Sequence, residues 1–261
     1  MSKSDGLRLA DMRAVFRLIG DCRDLGNEPG LWHRRMLEGL ALLFGVVQAA
    51  GGEAWWERPG RAVQPVSAYS VSADPAADDA FRAYHRDLGP RTDPSYQALE
   101  KLSGKLITRT RRELVSDAAW YRSAAFNQYF RMGGLDHQLL SVFQVSDDGA
   151  TSVVALNRSL GAEDFSERER RLFSFFHAEL GRLIGGPLVG ATDRNVAQLS
   201  PRLRETLACL LEGDSEKQVA ARLGLSHATV HQYVTVLYRH FGVQSRAQLL
   251  AHVNRRLRRV A

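Results

Sequence analysis

The sequence predicts an α+β protein in two parts. An α/β sandwich on a central antiparallel sheet comes first, and a small all-α domain of four helices follows. Three observations carry this. Over residues 1–185, helical apolar spacing alternates with two hairpin signals. From 198 to 261 only helical spacing remains, and each run has its own start signal. The charge is also unevenly divided. The chain has 35 Lys and Arg against 29 Asp and Glu, residues from 196 onward hold ten against four, and the first 195 therefore balance at 25 against 25.

Taken in order, Leu9, Met12, Val15, Phe16 and Ile19 share one face of a helix over 9–19, and 32–43 reads as a second helix. Residues 46–56 and 62–71 read as strands flanking the turn Glu57-Arg58-Pro59-Gly60. Helices follow over 76–87 and 93–103, then a short strand over 106–109 and an aromatic-rich helix over 117–131. A second hairpin pairs 139–145 with 151–156 around Asp147-Asp148-Gly149. Ser166-Glu167-Arg168-Glu169 has capping-box spacing and opens a long helix over 166–184, with Phe173, Phe176, Leu180 and Ile184 as its apolar stripe. Gly185-Gly186-Pro187 breaks it, and the division reads 1–185, a linker over 186–197, and 198–261.

The last segment is the most specific. Ser200 before Pro201 suits an N-cap followed by the first helical position. Ser215 with Gln218, and Ser245 with Gln248, fit the capping box, and Ser226 caps the helix between them. Gly224-Leu225-Ser226 joins helices over 216–223 and 227–240 by a turn short enough for a helix-turn-helix. Val230, Val234, Leu237 and Phe241 form the inner stripe of the second of these. Thr229, His231, Gln232, Thr235 and Arg239 remain outside, hydrogen-bond capable and free of carboxylates, as a surface for phosphates and base edges would be.

Leu199-Ser200-Pro201-Arg202, Glu212 to Ala220, Leu223 to Val230 and Leu237 to Val243 fall in one order that resembles the LuxR-type helix-turn-helix of bacterial regulators. The resemblance implies a double-stranded DNA partner. It places His231, Gln232 and Thr235 at base edges of the major groove, with Lys217, Tyr233 and Arg239 near phosphates and Thr229 at the helix start. Family members commonly carry Thr-Val-Lys-x-His where this chain has Thr229-Val230-His231-Gln232-Tyr233, which alters the expected base preference. The +6 charge of this segment is a footprint for phosphate binding. The basic tail Arg255, Arg256, Arg258 and Arg259 reads equally as a DNA contact or as a solvated end. Leu249, Leu250, Val253 and Leu257 form the stripe of the final helix, part of it for the domain's own core and the rest for a homodimer partner, as in the family.

The hairpins and helices of the first part resemble GAF- and PAS-like sensor domains and the related autoinducer-binding domain of quorum regulators. Tyr84 precedes Asp93-Pro94 at the spacing with which that domain hydrogen-bonds an acyl-homoserine lactone, but the Trp expected four residues before the Tyr is Ala80. Asp93 has a second reading as the N-cap of the helix that begins at Pro94. Trp120 and Tyr129 read either as walls of a small-molecule effector pocket or as the edge of an ordinary core.

The chain lacks the nucleophile elbow, phosphate loop and dinucleotide fingerprint of common enzymes, and the acidic pair of a receiver domain. His227 and His231 are four apart but lack a metalloprotease Glu, so no metal or cofactor is expected. Cys22 and Cys209 suggest no disulfide framework, and the longest apolar run, Leu40 to Ala50, is interrupted by Gln48 and is too short for a bilayer, so the expected location is cytoplasmic. The reading is a DNA-binding regulator and not an enzyme. Its alternatives are a scaffold with a non-functional helix-turn-helix and a quorum regulator binding an acyl-homoserine lactone.

Overall fold

The computed structural model describes residues 6–56, 59, 63–87, 89–147, 149–190, 199–241 and 243–251. Two helices open the chain, α1 (Leu9–Asp24) and α2 (Pro29–Phe44). Pro29 starts α2, where its missing N–H costs nothing, and Gly45 at φ 58° ends it. Strands β1 (Gln48–Trp55), β2 (Gln64–Pro65) and β3 (Tyr69–Ser72) follow, then α3 (Pro75–Arg86), the turn α4 (Gly89–Thr92) and α5 (Pro94–Leu99). Next come β4 (Leu106–Thr110), α6 (Arg111–Leu114), α7 (Asp117–Arg122) and a π-helical turn over Phe126–Phe130. Strands β5 (Leu135–Gln144) and β6 (Ala150–Ser159) precede α8 (Glu167–Gly181).

All strand pairs are antiparallel, in the order β2-β1-β6-β5-β4, with β3 on the same edge of β1 as β2. Successive strand residues face opposite sides, so β1 alternates Ala49, Gly51, Glu53 and Trp55 on one face with Gln48, Ala50, Gly52 and Ala54 on the other. The first face is covered by α1, α2 and α8, whose Val15, Trp32, Met36, Leu40, Phe173, Phe176 and Leu180 meet Leu139, Phe143 and Val154. The second face is covered by α3, α5 and the π turn.

Three sequence expectations are corrected. The strand expected over 62–71 is two strands, because the N–H groups of Val66 and Ser67 both donate to the Glu53 carbonyl and bulge the edge. The chain crosses over Gly52 there, and a Cβ at 52 would lie 2.1 Å from the Ser67 carbonyl oxygen. The helix expected over 93–103 ends at Leu99, where the N–H groups of Lys101 and Leu102 turn back to the carbonyls of Ala98 and Leu99. The helix expected over 117–131 is broken by extended Ser123, whose hydroxyl accepts from the Phe126 N–H and restarts the chain as the π turn. Of the two expected turns, residues 57, 58 and 60 of the first and 148 of the second lie outside the described residues.

Several polar groups are buried in this domain. Arg111, with a side chain 1% exposed, pairs with Asp117 and Asp136 and lies over the rings of Trp120 and Tyr121. His177 bonds Ser141 through Nδ1 (2.7 Å) and Ser152 through Nε2 (3.1 Å), and burial lowers its pKa to about 3. His33 donates from Nδ1 to the Pro29 carbonyl (2.7 Å), and burial lowers its pKa to about 4 against that bond.

Helices α9 (Pro201–Leu211), α10 (Glu216–Leu223) and α11 (His227–Phe241) pack together, followed by helical residues 246–251. Their core is Leu207, Leu210, Val219, Val230, Val234, Leu237 and Phe241, with Cys209 as a small buried member. Among the described residues no helix is long and apolar enough to cross a membrane, and no group of His, Cys, Asp and Glu could hold a metal.

Candidate nucleic-acid interface and cavity

The start signals read from sequence form the expected bonds. Ser200 Oγ accepts from the Leu203 N–H. Ser215 Oγ accepts from the Gln218 N–H, while Gln218 Oε1 accepts from the Ser215 N–H at 2.9 Å. Gly224 sits at φ 66°, a conformation that a Cβ disfavours, and lets α10 turn into α11 within three residues. Ser226 Oγ then accepts from the Thr229 N–H at 3.1 Å.

These caps fix which face of α11 is free. Val230, Val234 and Leu237 are buried, while His231, Gln232, Thr235 and Arg239 are exposed and Thr229 and Tyr233 half-buried. The Thr235 hydroxyl donates to the His231 carbonyl (2.9 Å), which uses up its donor locally and leaves its methyl for contact. Lys217 is exposed at the start of α10. Among the described residues neither Lys217 nor Arg239 is in an ion pair, whereas Arg222 is clamped by Glu212 and Asp214 and Arg246 donates to the Leu210 carbonyl.

One member of this surface was not foreseen. Glu216 reaches from α10 to His231, with Oε2 3.0 Å from Nδ1, and stands 3.9 Å from His227 Nε2. The third helix carries no carboxylate of its own, but its neighbour brings one. If this surface binds DNA, replacing Glu216 with Gln should strengthen binding to a duplex by a few fold, because it removes a negative charge from the face. Equal affinities in a salt titration of both proteins would count against this.

The dimer stripe divides. Leu249, expected on it, is fully buried in the domain's own core, so it cannot meet a partner. Leu250 is half-buried, and Val253, Leu257 and the basic tail lie outside the described residues.

In the first domain the second sheet face holds a cavity open to solvent at one end. It exists because β1 presents the small residues Ala50, Gly52 and Ala54 there after Gln48, and β6 adds Ala155. Tyr84, Tyr96, Tyr129 and Phe130 roof it. Of the four residues expected around a pocket, Tyr84 and Tyr129 line the cavity and are in edge contact (5.5 Å between centroids). Trp120 does not line it. Its ring is fully buried against Phe126 and Phe130 and its Nε1 donates to Asp136, so it belongs to the core.

Asp93 combines both of its readings. Its Oδ1 accepts from the Ser95 N–H (2.7 Å), capping α5, and its Oδ2 accepts from the Tyr84 hydroxyl (2.9 Å). It is fully buried behind the cavity wall, and burial pushes its pKa up to about 6 against those bonds. Ala80 lines the cavity and packs on Gly133, where a Cβ would come within 2.9 Å of the Ala80 Cβ. That close approach suits a small residue at the position where the autoinducer domain has its Trp.

The segment leaving this domain is held down. The Val189 N–H donates to the Gly26 carbonyl (2.8 Å), Trp32 Nε1 donates to the Val189 carbonyl (3.0 Å), and Leu188 is fully buried. A Cβ at Gly190 would lie 2.9 Å from Glu53 Oε2. Arg204 on α9 pairs with Glu28 at the cap of α2 (3.2 Å).

A helix-turn-helix unit with a polar recognition surface thus follows a sheet domain with a cavity. Residues 197–253 match the family of bacterial regulatory proteins, luxR family, and this segment is a LuxR-type helix-turn-helix domain. Two mycobacterial proteins named as HTH-type transcriptional regulators, Mb0914c of Mycobacterium bovis and Rv0890c of Mycobacterium tuberculosis, are each 32% identical over 117 residues, 44% of this chain. The match spans only 13% of the length of each of these relatives. Among solved structures the chain is similar to Escherichia coli SdiA, at 15% identity and a TM-score of 0.41 over 87% of this chain and 90% of that one. It is also similar to SdiA in complex with octanoyl-rac-glycerol, at 14% identity and a TM-score of 0.41 over 94% and 93%.

Proposed function

We propose that the chain is a sequence-specific DNA-binding transcriptional regulator, divided into a sensor domain (1–185), a linker (186–197) and a DNA-binding domain (198–261). In this reading α11 lies in the major groove and the cavity takes a small-molecule effector. The observation that carries it is the surface of α11, where a buried valine and leucine stripe leaves His231, Gln232, Thr235 and Arg239 pointing away from the core beside Lys217. Gln232 reads a base, the Thr235 methyl meets a thymine methyl, and Arg239, Lys217 and Tyr233 hold phosphates. Replacing Gln232 with Ala should change the preferred site at a cost of about 1–3 kcal/mol, whereas Arg239→Ala should weaken all sequences alike and flatten the salt slope. An unchanged site profile for Gln232→Ala, measured by selection from a random duplex pool, would sink the assignment.

The reading involves no catalysis and a cytoplasmic location. What supports the first point is that the pair closest to a nucleophile and base, Ser141 and His177, is fully buried and spent on Thr108 and Ser152. A homodimer on paired half-sites would bring Leu250, Val253 and Leu257 together, and sedimentation with a two-half-site duplex should give two chains per duplex. The scaffold alternative predicts no salt-dependent binding to any duplex.

A further inference from the structure

We infer that Glu216 is a positioning residue that determines base specificity. It sets the His231 imidazole so that the free ring nitrogen accepts a hydrogen bond from an exocyclic amine in the major groove, cytosine N4 or adenine N6. The inference rests on the proposed reading of α11 as the helix that enters the groove.

The two residues come from different helices. Ser215 caps α10 and puts Glu216 at its first helical position, while His231 stands just over one turn into α11. Glu216 Oε2 lies 3.0 Å from His231 Nδ1. His227 Nε2 is 3.9 Å from the same oxygen, beyond hydrogen-bond reach. Among the described residues no Lys or Arg pairs with Glu216, so its partner is the His231 ring.

A carboxylate can only accept, so Nδ1 carries the hydrogen. A neutral imidazole has one N–H, and Nε2 is then left with a lone pair. The His231 side chain is 67% exposed, so the ring held by this bond is open to a docked duplex. The Thr235 hydroxyl, one turn on, is spent on the His231 carbonyl (2.9 Å) and does not compete for that edge.

The groove then decides what Nε2 can read. Guanine N7 and O6 and thymine O4 are acceptors, and a lone pair is repelled by each. Cytosine N4 and adenine N6 are the donors of the major groove. Lys and Arg carry only donors and read the opposite pattern. With no carboxylate at 216 the hydrogen could sit on either ring nitrogen, and His231 could read either pattern. Glu216 removes that ambiguity from a neighbouring helix, without touching the base itself.

The test uses the full chain at about pH 8.5, above the range in which histidine side chains take up a second hydrogen. Selection from a random duplex pool with wild type and His231→Ala should identify one base pair whose preference flattens in the variant. Two kinds of analogue then separate the edges of that pair. Pyrimidin-2-one for cytosine, or purine for adenine, removes the amine, and the 7-deaza purine removes N7. Each cost is taken relative to the cost for His231→Ala, which cancels any change in the duplex itself. Removing the amine should weaken wild type about tenfold, as for one good base contact, and removing N7 should cost nothing. Glu216→Gln keeps the shape of the side chain, but its amide can donate to Nδ1 and let the hydrogen move to Nε2. In that variant removing the amine should cost about twofold or less. Three results would each overturn the inference and leave the DNA-binding reading in place: no base pair flattened by His231→Ala, no cost to wild type on removing the amine, or the whole of that cost retained in Glu216→Gln. Absence of salt-dependent binding to any duplex overturns both together.

Discussion

Lowering the pH from 7 to 4 is expected to destabilise the N-terminal domain by on the order of 3–4 kcal/mol, mainly through His33 and His177. Burial lowers these to about 4 and about 3, while in the unfolded chain both titrate near the ordinary histidine value. As pH falls through about 6.5 the unfolded state takes up protons that the native state refuses, so stability is lost until the folded pKa values are reached. Asp93 works with the opposite sign. Its folded pKa is raised to about 6, so between pH 6 and 4 the native state binds the extra proton and stability is gained on acidification. Two histidines outweigh one carboxyl, and the net slope follows the histidines. Melting temperatures of wild type and His177→Gln across this range test it, since the variant should lose part of the acid slope. A wild-type melting temperature flat from pH 7 to 4 would falsify the account.

Replacing Arg111 with Met should cost about 3–5 kcal/mol, the largest effect expected of a single substitution here. Arg111 is 1% exposed and faces Asp136, which is itself 6% exposed. Removing the guanidinium leaves that carboxylate buried with Trp120 Nε1 and the Tyr121 hydroxyl as donors and His137 Nε2 at 3.9 Å. The double variant Arg111→Met/Asp136→Asn should recover part of the loss, because the amide oxygen keeps an acceptor for one of those donors, its NH2 can donate to the Tyr121 hydroxyl, and it carries no charge. Urea midpoints read both. A single variant within about 1 kcal/mol of wild type would show that the pair carries little of the domain's stability.

The helix-turn-helix was legible because its signals are local. Ser200, Ser215, Gly224 and Ser226 each act on backbone within a few residues, and each forms the bond its spacing implies. In the first domain Ser123 acts over the same short range on Phe126, but it lies inside an aromatic run with helical spacing that masked the break. The other misreadings came from longer range. Gln48 looked like an interruption of an apolar run, yet it begins β1 and its amide bonds the Ala77 carbonyl and Asn157. Tyr84 and Asp93 were found by spacing, but the contact between them and the separation of Trp120 from the cavity depend on how α3, α5 and the π turn lie on the sheet. Glu216 escaped because it belongs to one helix and acts at the surface of the next.

Strand β1 belongs to two neighbourhoods. Gln48 on one side bonds Asn157 beside the cavity, while Glu53 on the other stands against Gly190, where the chain leaves the domain. The strand that borders the cavity is therefore also the one that the departing segment lies against, so a bulkier residue in β1 would be felt in the packing of both.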